Sequence, residues 1–348
     1  MQVFDEDLNN ILERSETDLR TLKQARMFVT GGTGYIGRWL LATLCRANRE
    51  LALDMRMTVL SRDPDRFRVT DSDIAGDPAI EWIQGDVTNF VYPPGIFTHV
   101  LHAATDVVAK STPLDTFDVT VAGTRRVLDL SRACEAQRLL LLSSGAVYGR
   151  IPHEIDRVPE TYQGGLDVAQ AGAAYGIGKH VSEWLCNTYA SEGGAAAVSA
   201  RIFAQIGPFL ALDKQFAAGN FINDALKGRP FLIKGDGTPL RSYMYSTDLV
   251  VWLLAIFVRG QSGQSYNVGS DQAVSIRDLA LRVARAAGVG SPDIRVLGVP
   301  QPATPPERYV PAINRARDEL ALNISVSLEQ GLRRTVDWYR VRFSRDFS

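Results

Sequence analysis

Three side chains in this sequence have the types and spacing for proton and hydride chemistry: Ser144 in "LLLLSSGAVYG", and Tyr175 and Lys179 in "AAYGIGKHVSEWL". Tyr175 and Lys179 are four residues apart, so on a helix they share a face. Ser144 closes a leucine run that reads as a buried strand, and the ends of such strands are where open α/β sheets bind ligands. A phenol has a pKa of about 10, too high for a base at neutral pH, but a neighbouring ammonium favours the phenolate. Taken singly, each group has a blander reading: a surface pair on a helix, or a serine that caps a strand. A third piece upstream joins them.

That piece is "MFVTGGTGYIGRWLLATL", where Gly31, Gly34 and Gly37 stand between a short apolar strand and the start of a helix. Glycine there permits a tight turn and a close backbone approach to a pyrophosphate, which the helix N-terminus then attracts with its N–H groups and dipole. The cofactor contacts expected of this turn come from Gly31, Thr33, Gly34, Tyr35, Ile36 and Gly37. At the end of the second strand, "MTVLSRDPDRF", a dinucleotide fold places the group that meets the adenosine ribose, an acid when the cofactor is NAD. Here Ser61 and Arg62 hold that place, with Arg66 one turn on. A serine can donate to a 2′-phosphate and an arginine can grip it, so the reading favours NADP(H). NAD(H) remains the alternative, because Asp63 follows immediately.

From Arg26 onwards, β-rich runs alternate with helical stretches up to "AVSARIF". Such alternation predicts an α/β fold, a doubly wound parallel sheet of the Rossmann type, with a smaller C-terminal substrate-binding domain. The alternation breaks after Ile206, at Gly207-Pro208 and the proline-rich "VPQPATPPERYVP". The expected division is a helical extension over 1–24, a dinucleotide-binding domain over 25–207 plus about 241–262, and a substrate-binding domain over 208–240 plus 263–348. In the extension, Leu8, Ile11, Leu12, Leu19 and Leu22 recur at helical spacing, which predicts one or two amphipathic helices packed on the domain surface.

Composition narrows the partners. With 38 basic and 39 acidic residues among 348, the net charge is -1, which gives no reason to expect a nucleic acid or an acidic membrane surface. Cys45, Cys134 and Cys186 are odd in number and lie in stretches read as helix, so free thiols in a reducing compartment are expected. The four histidines show no metal-ligand spacing, and no metal site is expected. The acidic start lacks the apolar run of a signal peptide and no window approaches a membrane span, which makes a cytoplasmic location the expectation.

The glycine turn, Ser144 and the Tyr175–Lys179 pair, in this order, resemble the extended short-chain dehydrogenase/reductase family, in its nucleotide-sugar epimerase, dehydratase and reductase branch. The resemblance covers nearly the whole chain. "QGDVTN" resembles the family's adenine-side motif, which implies contacts from Asp86 and Val87, and "VLHAAT" the strand beneath the cofactor, with Ala103 and Ala104. "ARIFAQIGP" is similar to the segment after the nicotinamide site. "GDGTPLRSYMYSTDLVVWLL" is similar to the substrate-domain signature, in which Arg241 would contact the diphosphate of a nucleotide-diphosphate sugar. Asn220 and Arg308 are carried over from looser matches.

The implied chemistry makes Tyr175 the proton shuttle, Ser144 its hydrogen-bonding partner on the same sugar oxygen, and Lys179 the group that holds the ribose and tunes the phenol. Departures from the family matter as much. The 4,6-dehydratases carry an acid pair where this chain has Gly145 and Ala146, which counts against water elimination and, at Ala146, against decarboxylation. The family's asparagine in the preceding helix is matched by Thr120. NADPH-dependent reduction of a 4-keto sugar nucleotide is therefore the leading expectation, with NAD-dependent 4-epimerisation as the alternative. A non-catalytic dinucleotide sensor or scaffold is a second alternative. The resemblance also implies a homodimer built on "TFDVTVAGTRRVLDLSRA" and "AYGIGKHVSEWLCNTYA".

Overall fold

The computed structural model describes residues 2–105, 112–214, 216–300 and 305–346; part of the proline-rich segment, 301–304, lies outside them. Six short strands follow in chain order: β1 (Arg26–Thr30), β2 (Arg56–Ser61), β3 (Ile80–Gln84), β4 (His99–His102), β5 (Arg138–Ser144) and β6 (Ala196–Ile202). With Ser265–Val268 they form one seven-stranded sheet, in the spatial order Ser265–Val268, β6, β5, β4, β1, β2, β3. Every pairing in it is parallel. The strands read as apolar runs because helices cover both faces.

One face carries the helices Gln2–Thr21, Tyr35–Glu50 and Ser246–Arg259, whose apolar residues share a core with the sheet. The other carries Pro113–Ala133 and Ala174–Ser191. Local sequence fixes where the first of these two begins. Thr112 accepts the Asp115 N–H, the Asp115 carboxylate accepts the Thr112 N–H, and Pro113 opens the helix. A separate core gathers Phe221, Phe231, Leu279, Val283, Leu332 and Val336 from the C-terminal part of the chain.

Two features differ in detail from the sequence reading. The strand Ser265–Val268, which falls in the segment assigned to the smaller domain, pairs with β6 and completes the large sheet. "SYNV" has no apolar run to announce it; all four residues are buried because of the strand and helices around them. The N-terminal extension is a single helix, and it is bolted on as well as packed. Leu8, Ile11, Leu12 and Leu19 are buried, and three acid–base contacts surround them.

Asp18 pairs with Arg259, and Asp7 accepts from Tyr245 and Arg334. Arg14 lies 2.7 Å from the fully buried Asp248, whose other oxygen accepts the Ser325 and Val326 N–H groups. Among the described residues, no helix is long and apolar enough to cross a membrane.

Removing Arg14 leaves the Asp248 carboxylate buried with only backbone donors. Because Arg14 itself reaches solvent, Arg14→Leu is expected to cost about 2–3 kcal/mol, below the usual figure for a fully buried pair. Urea denaturation measures this directly, and a loss smaller than about 0.5 kcal/mol would contradict the latch.

Candidate functional site

The sheet order reverses between β1 and β4, and the glycine turn lies in the crevice this creates. Gly31 has φ +72°, and a Cβ on it would come 2.5 Å from the carbonyl carbon of Ala103, just beyond β4. A Cβ on Gly37 would run into the Gly31 carbonyl oxygen. Only glycine allows both approaches. Gly34 caps the helix Tyr35–Glu50 with no side-chain hydrogen bond, and no acid stands in the first turn. The first N–H groups of that helix are thus left to an anion, and the space beside Gly34 is open apart from the Gly31 oxygen at 3.3 Å. The turn fits a pyrophosphate.

Thr33 is partly exposed in the turn, whereas Tyr35 and Ile36 turn their side chains elsewhere. The Tyr35 hydroxyl meets Ser246 at 2.7 Å and Ile36 packs on the core, so these two offer a ligand only their backbone. Ala103 and Ala104 are held by N–H bonds to the Thr30 carbonyl and hydroxyl. Val87 is buried against Gly123.

At the end of β2, the buried Ser61 hydroxyl accepts the Asp63 N–H and keeps its own proton to donate. Asp63 is engaged as the cap of the helix Pro64–Thr70, where its carboxylate accepts the Arg66 N–H at 3.0 Å. Arg62 and Arg66 are exposed beside it. Partial burial would raise the Asp86 carboxyl, but the Thr88 hydroxyl and N–H, aided by the Arg62 charge, hold it below the usual range. Serine, arginines and Asp86 are therefore gathered at one end of the crevice.

The helix Ala174–Ser191 lies along β5 and the short turn Gly145–Tyr148 that follows it. Ser144, at the end of β5, accepts the Ala146 N–H at 3.1 Å, and Tyr175 stands in the first turn of the helix beside it. Burial pushes the Tyr175 phenol up to about 12, and Ser144 opposes the shift. Lys179 is buried and donates to the Leu142 carbonyl at 2.7 Å; burial lowers it to about 8. The Lys179 charge is not among the influences that lower the Tyr175 phenol in the protein without a dinucleotide. The ammonium is spent on a strand carbonyl, and desolvation outweighs what remains.

Beneath the site, His102 bridges Thr30 and Thr124 with its two ring nitrogens, and burial followed by the Lys179 charge lowers its pKa to about 3, so it is neutral. Glu183, one turn beyond Lys179, accepts from Ser143, Ser265 and Arg201 and ties the helix to three strands. These are supports and lie behind the site.

The substrate-side expectations divide. The short strands Leu240–Arg241 and Arg308–Tyr309 pair in parallel, with Arg241 opposite Tyr309 and Arg308 opposite Leu240, so the two arginines leave the pair on opposite faces. Arg241 lies 3.4 Å from Glu307, and Arg308 is 2.8 Å from Asp156. Asn220 is partly buried on the helix Ala217–Leu226, away in sequence from that strand pair.

Sequence reading missed one residue here, Tyr309. Its hydroxyl lies beside Gly145, where a Cβ would come 2.6 Å from it, and its ring packs on Phe203 at 4.6 Å. Its only signal in the sequence is its position beside Arg308.

Crevice, glycine turn and the Ser144–Tyr175–Lys179 group define a dinucleotide-dependent oxidoreductase architecture. Residues 27–269 match the model of the NAD dependent epimerase/dehydratase family, and the chain is an enzyme of that family. It is 30% identical over 322 residues, 92% of this chain and 71% of the relative, to UDP-glucuronic acid decarboxylase 1 of Arabidopsis thaliana. Two solved structures share the fold. A dTDP-glucose 4,6-dehydratase of Bacillus anthracis in complex with NAD has a TM-score of 0.76 at 18% identity, over 92% of this chain and 98% of that one. A UDP-glucose 4-epimerase of Thermotoga maritima with UDP-glucose has a TM-score of 0.75 at 20% identity, over 91% and 99%.

Lys179 also sets a pH dependence. Its folded pKa of about 8 lies below the ordinary value of 10.5, so between these the unfolded chain binds more protons and stability rises with pH. The wild type is expected to gain stability relative to Lys179→Met from pH 8 to 10 in urea titrations. A flat or falling difference would place Lys179 in a solvated setting.

Proposed function

We propose that this enzyme moves a hydride between a dinucleotide and C4 of a nucleotide-diphosphate sugar, with net reduction of a 4-keto sugar as its reaction. The observation that carries the reading is the surroundings of Ser144: Gly145 and Ala146 follow it, neither of them an acid, and its hydroxyl accepts the Ala146 N–H. A site so equipped can exchange a proton at one oxygen, and among the described residues around Ser144 there is no paired acid and base of the kind that elimination needs.

The turn at Gly31, Gly34 and Gly37 would hold the pyrophosphate, and the bound nicotinamide would supply the hydride. Tyr175, kept protonated by burial, is poised to give its proton to the oxygen formed at C4. Ser144 donates to the same oxygen, and Lys179 fixes the end of β5 and reaches the ribose. Arg241 would bind the diphosphate, with Asn220 and Arg308 as further substrate-side residues, in a substrate-binding domain built on the second core. We read Ser61, Arg62 and Arg66 as a 2′-phosphate site, because Asp63 is already engaged in capping its helix. Trp184, exposed on the helix Ala174–Ser191, is consistent with a homodimer formed there.

A second reading keeps NAD bound and returns the hydride to the same sugar. The NAD-containing structural neighbours and the decarboxylase relatives favour it, and it covers both 4-epimerisation and loss of carboxylate from a 4-keto uronate. Dinucleotide binding separates the two. NADPH is expected to bind the emptied protein at least about tenfold more tightly than NADH, and Arg62→Ala to remove most of the difference. In the same series, Tyr175→Phe should bind dinucleotide normally while turnover falls at least about a hundredfold. Stoichiometric NAD released on denaturation, with no NADPH preference, would favour the second reading.

A further inference from the structure

We propose that a cavity beside the helix Tyr35–Glu50 is a second binding site, separate from the crevice, for a small aromatic ring that carries an anionic group. The inference does not depend on which reaction the crevice supports.

The cavity measures about 340 Å³, within the size range of small-molecule sites. Among the described residues that line it, none belongs to the glycine turn, to the Ser144–Tyr175–Lys179 group or to the substrate-side residues Asn220, Arg241 and Arg308. Its walls come from separate parts of the chain. Arg38 stands four residues after Gly34, Phe209 lies in the loop after Gly207-Pro208, and Trp338, Tyr339 and Arg342 belong to the helix Leu328–Asp346. Lys227, at the end of the helix Ala217–Leu226, completes the rim.

The charges are the first observation that points to a ligand. The Arg38 guanidinium lies 5.2 Å from the ring centre of Phe67 and 4.8 Å from that of Phe209, and it pairs with Asp71 at 2.7 Å. Its Nε is nonetheless buried with no hydrogen-bond partner among the described residues. Burial lowers the pKa of Arg38 from its ordinary value; Asp71 opposes the shift and the Arg342 charge adds to it. Arg342 lies over Trp338 at 5.3 Å, and Lys227 over Phe343 at 6.0 Å. Three cations thus share the cavity with one acid, Asp213, among the described lining residues. An anion between them would offset the repulsion of Arg38 and Arg342.

The backbone of Phe209 is the second. Its φ is +70°, a left-handed conformation that a bulky residue adopts only when its surroundings impose it. The loop is held on both sides of this residue: Trp39 Nε1 donates to the Pro208 carbonyl at 3.1 Å, and the Tyr339 hydroxyl donates to the Leu210 carbonyl. The strained backbone seats the ring edge-on to Trp338, 4.9 Å away, and beneath Arg38. Rings and cations side by side match a ligand with two parts, an aromatic body to stack and an anionic group to pair.

Isothermal titration calorimetry with 1-naphthyl phosphate and 1-naphthoate tests the site, since the two probes differ only in the anionic group. At least one is expected to bind with a Kd below about 1 mM, and inorganic phosphate and 1-naphthol, which each lack one part, at least about tenfold more weakly. Arg342→Glu and Lys227→Glu each reverse an exposed charge at the cavity and should weaken the better probe at least about tenfold. Arg333→Glu, on the same helix but lining a different cleft, and Arg241→Ala, on the substrate side, should change its Kd less than about twofold. Failure of both probes to bind, binding that survives Arg342→Glu, or phosphate alone binding as tightly would overturn the proposal. Binding lost in Arg241→Ala would overturn it too, by placing the probe in the crevice.

Discussion

Every feature that could handle a ligand in this molecule depends on how closely the turn after β1 lies against the end of β4. The Gly31 backbone meets the Ala103 backbone at a distance that no other residue permits, and Gly37 brings its helix equally close to Gly31. This double contact fixes the helix N-terminus over the point where the strand order reverses. It also leaves the space beside Gly34 open. The rest of the sheet places Ser144 two strands away from β1, on the same edge.

Around Ser144 the balance is one of desolvation against hydrogen bonding. Tyr175 and Lys179 are both pushed towards their neutral forms, and each is relieved by a partner on β5, Ser144 and the Leu142 carbonyl respectively. A resting site with a protonated phenol suits delivery of a proton better than its removal. The relatives named UDP-glucuronic acid decarboxylases match about nine-tenths of this chain at 30% identity or less, so the shared fold alone does not fix the reaction. A Cβ on Gly145 would meet the Tyr309 hydroxyl and the Phe203 ring, so these side chains crowd the backbone that follows Ser144.

What was legible in the sequence was local. The glycine turn, the apolar strands and the four-residue spacing of Tyr175 and Lys179 are written in consecutive residues, and the doubly wound sheet follows from their alternation. What was not legible depended on pairing across the chain. "SYNV" becomes a sheet strand only because β6 lies beside it, and Tyr309 comes beside Gly145 only because its segment pairs with Leu240–Arg241. The destination of the Lys179 ammonium was hidden for the same reason. Spacing placed Lys179 on the face of Tyr175, but the strand carbonyl that takes its proton belongs to another element.

The most direct test of hydride transfer without elimination uses NADPH deuterated at the transferring C4 position, with UDP-4-keto-6-deoxyglucose as acceptor. Mass spectrometry and NMR of the product locate the label. The expected result is one deuterium at C4 of the sugar for each NADPH oxidised, with no exchange from solvent into C5 or C6. Turnover that consumes no NADPH, or a product without the deuterium at C4, would contradict the account.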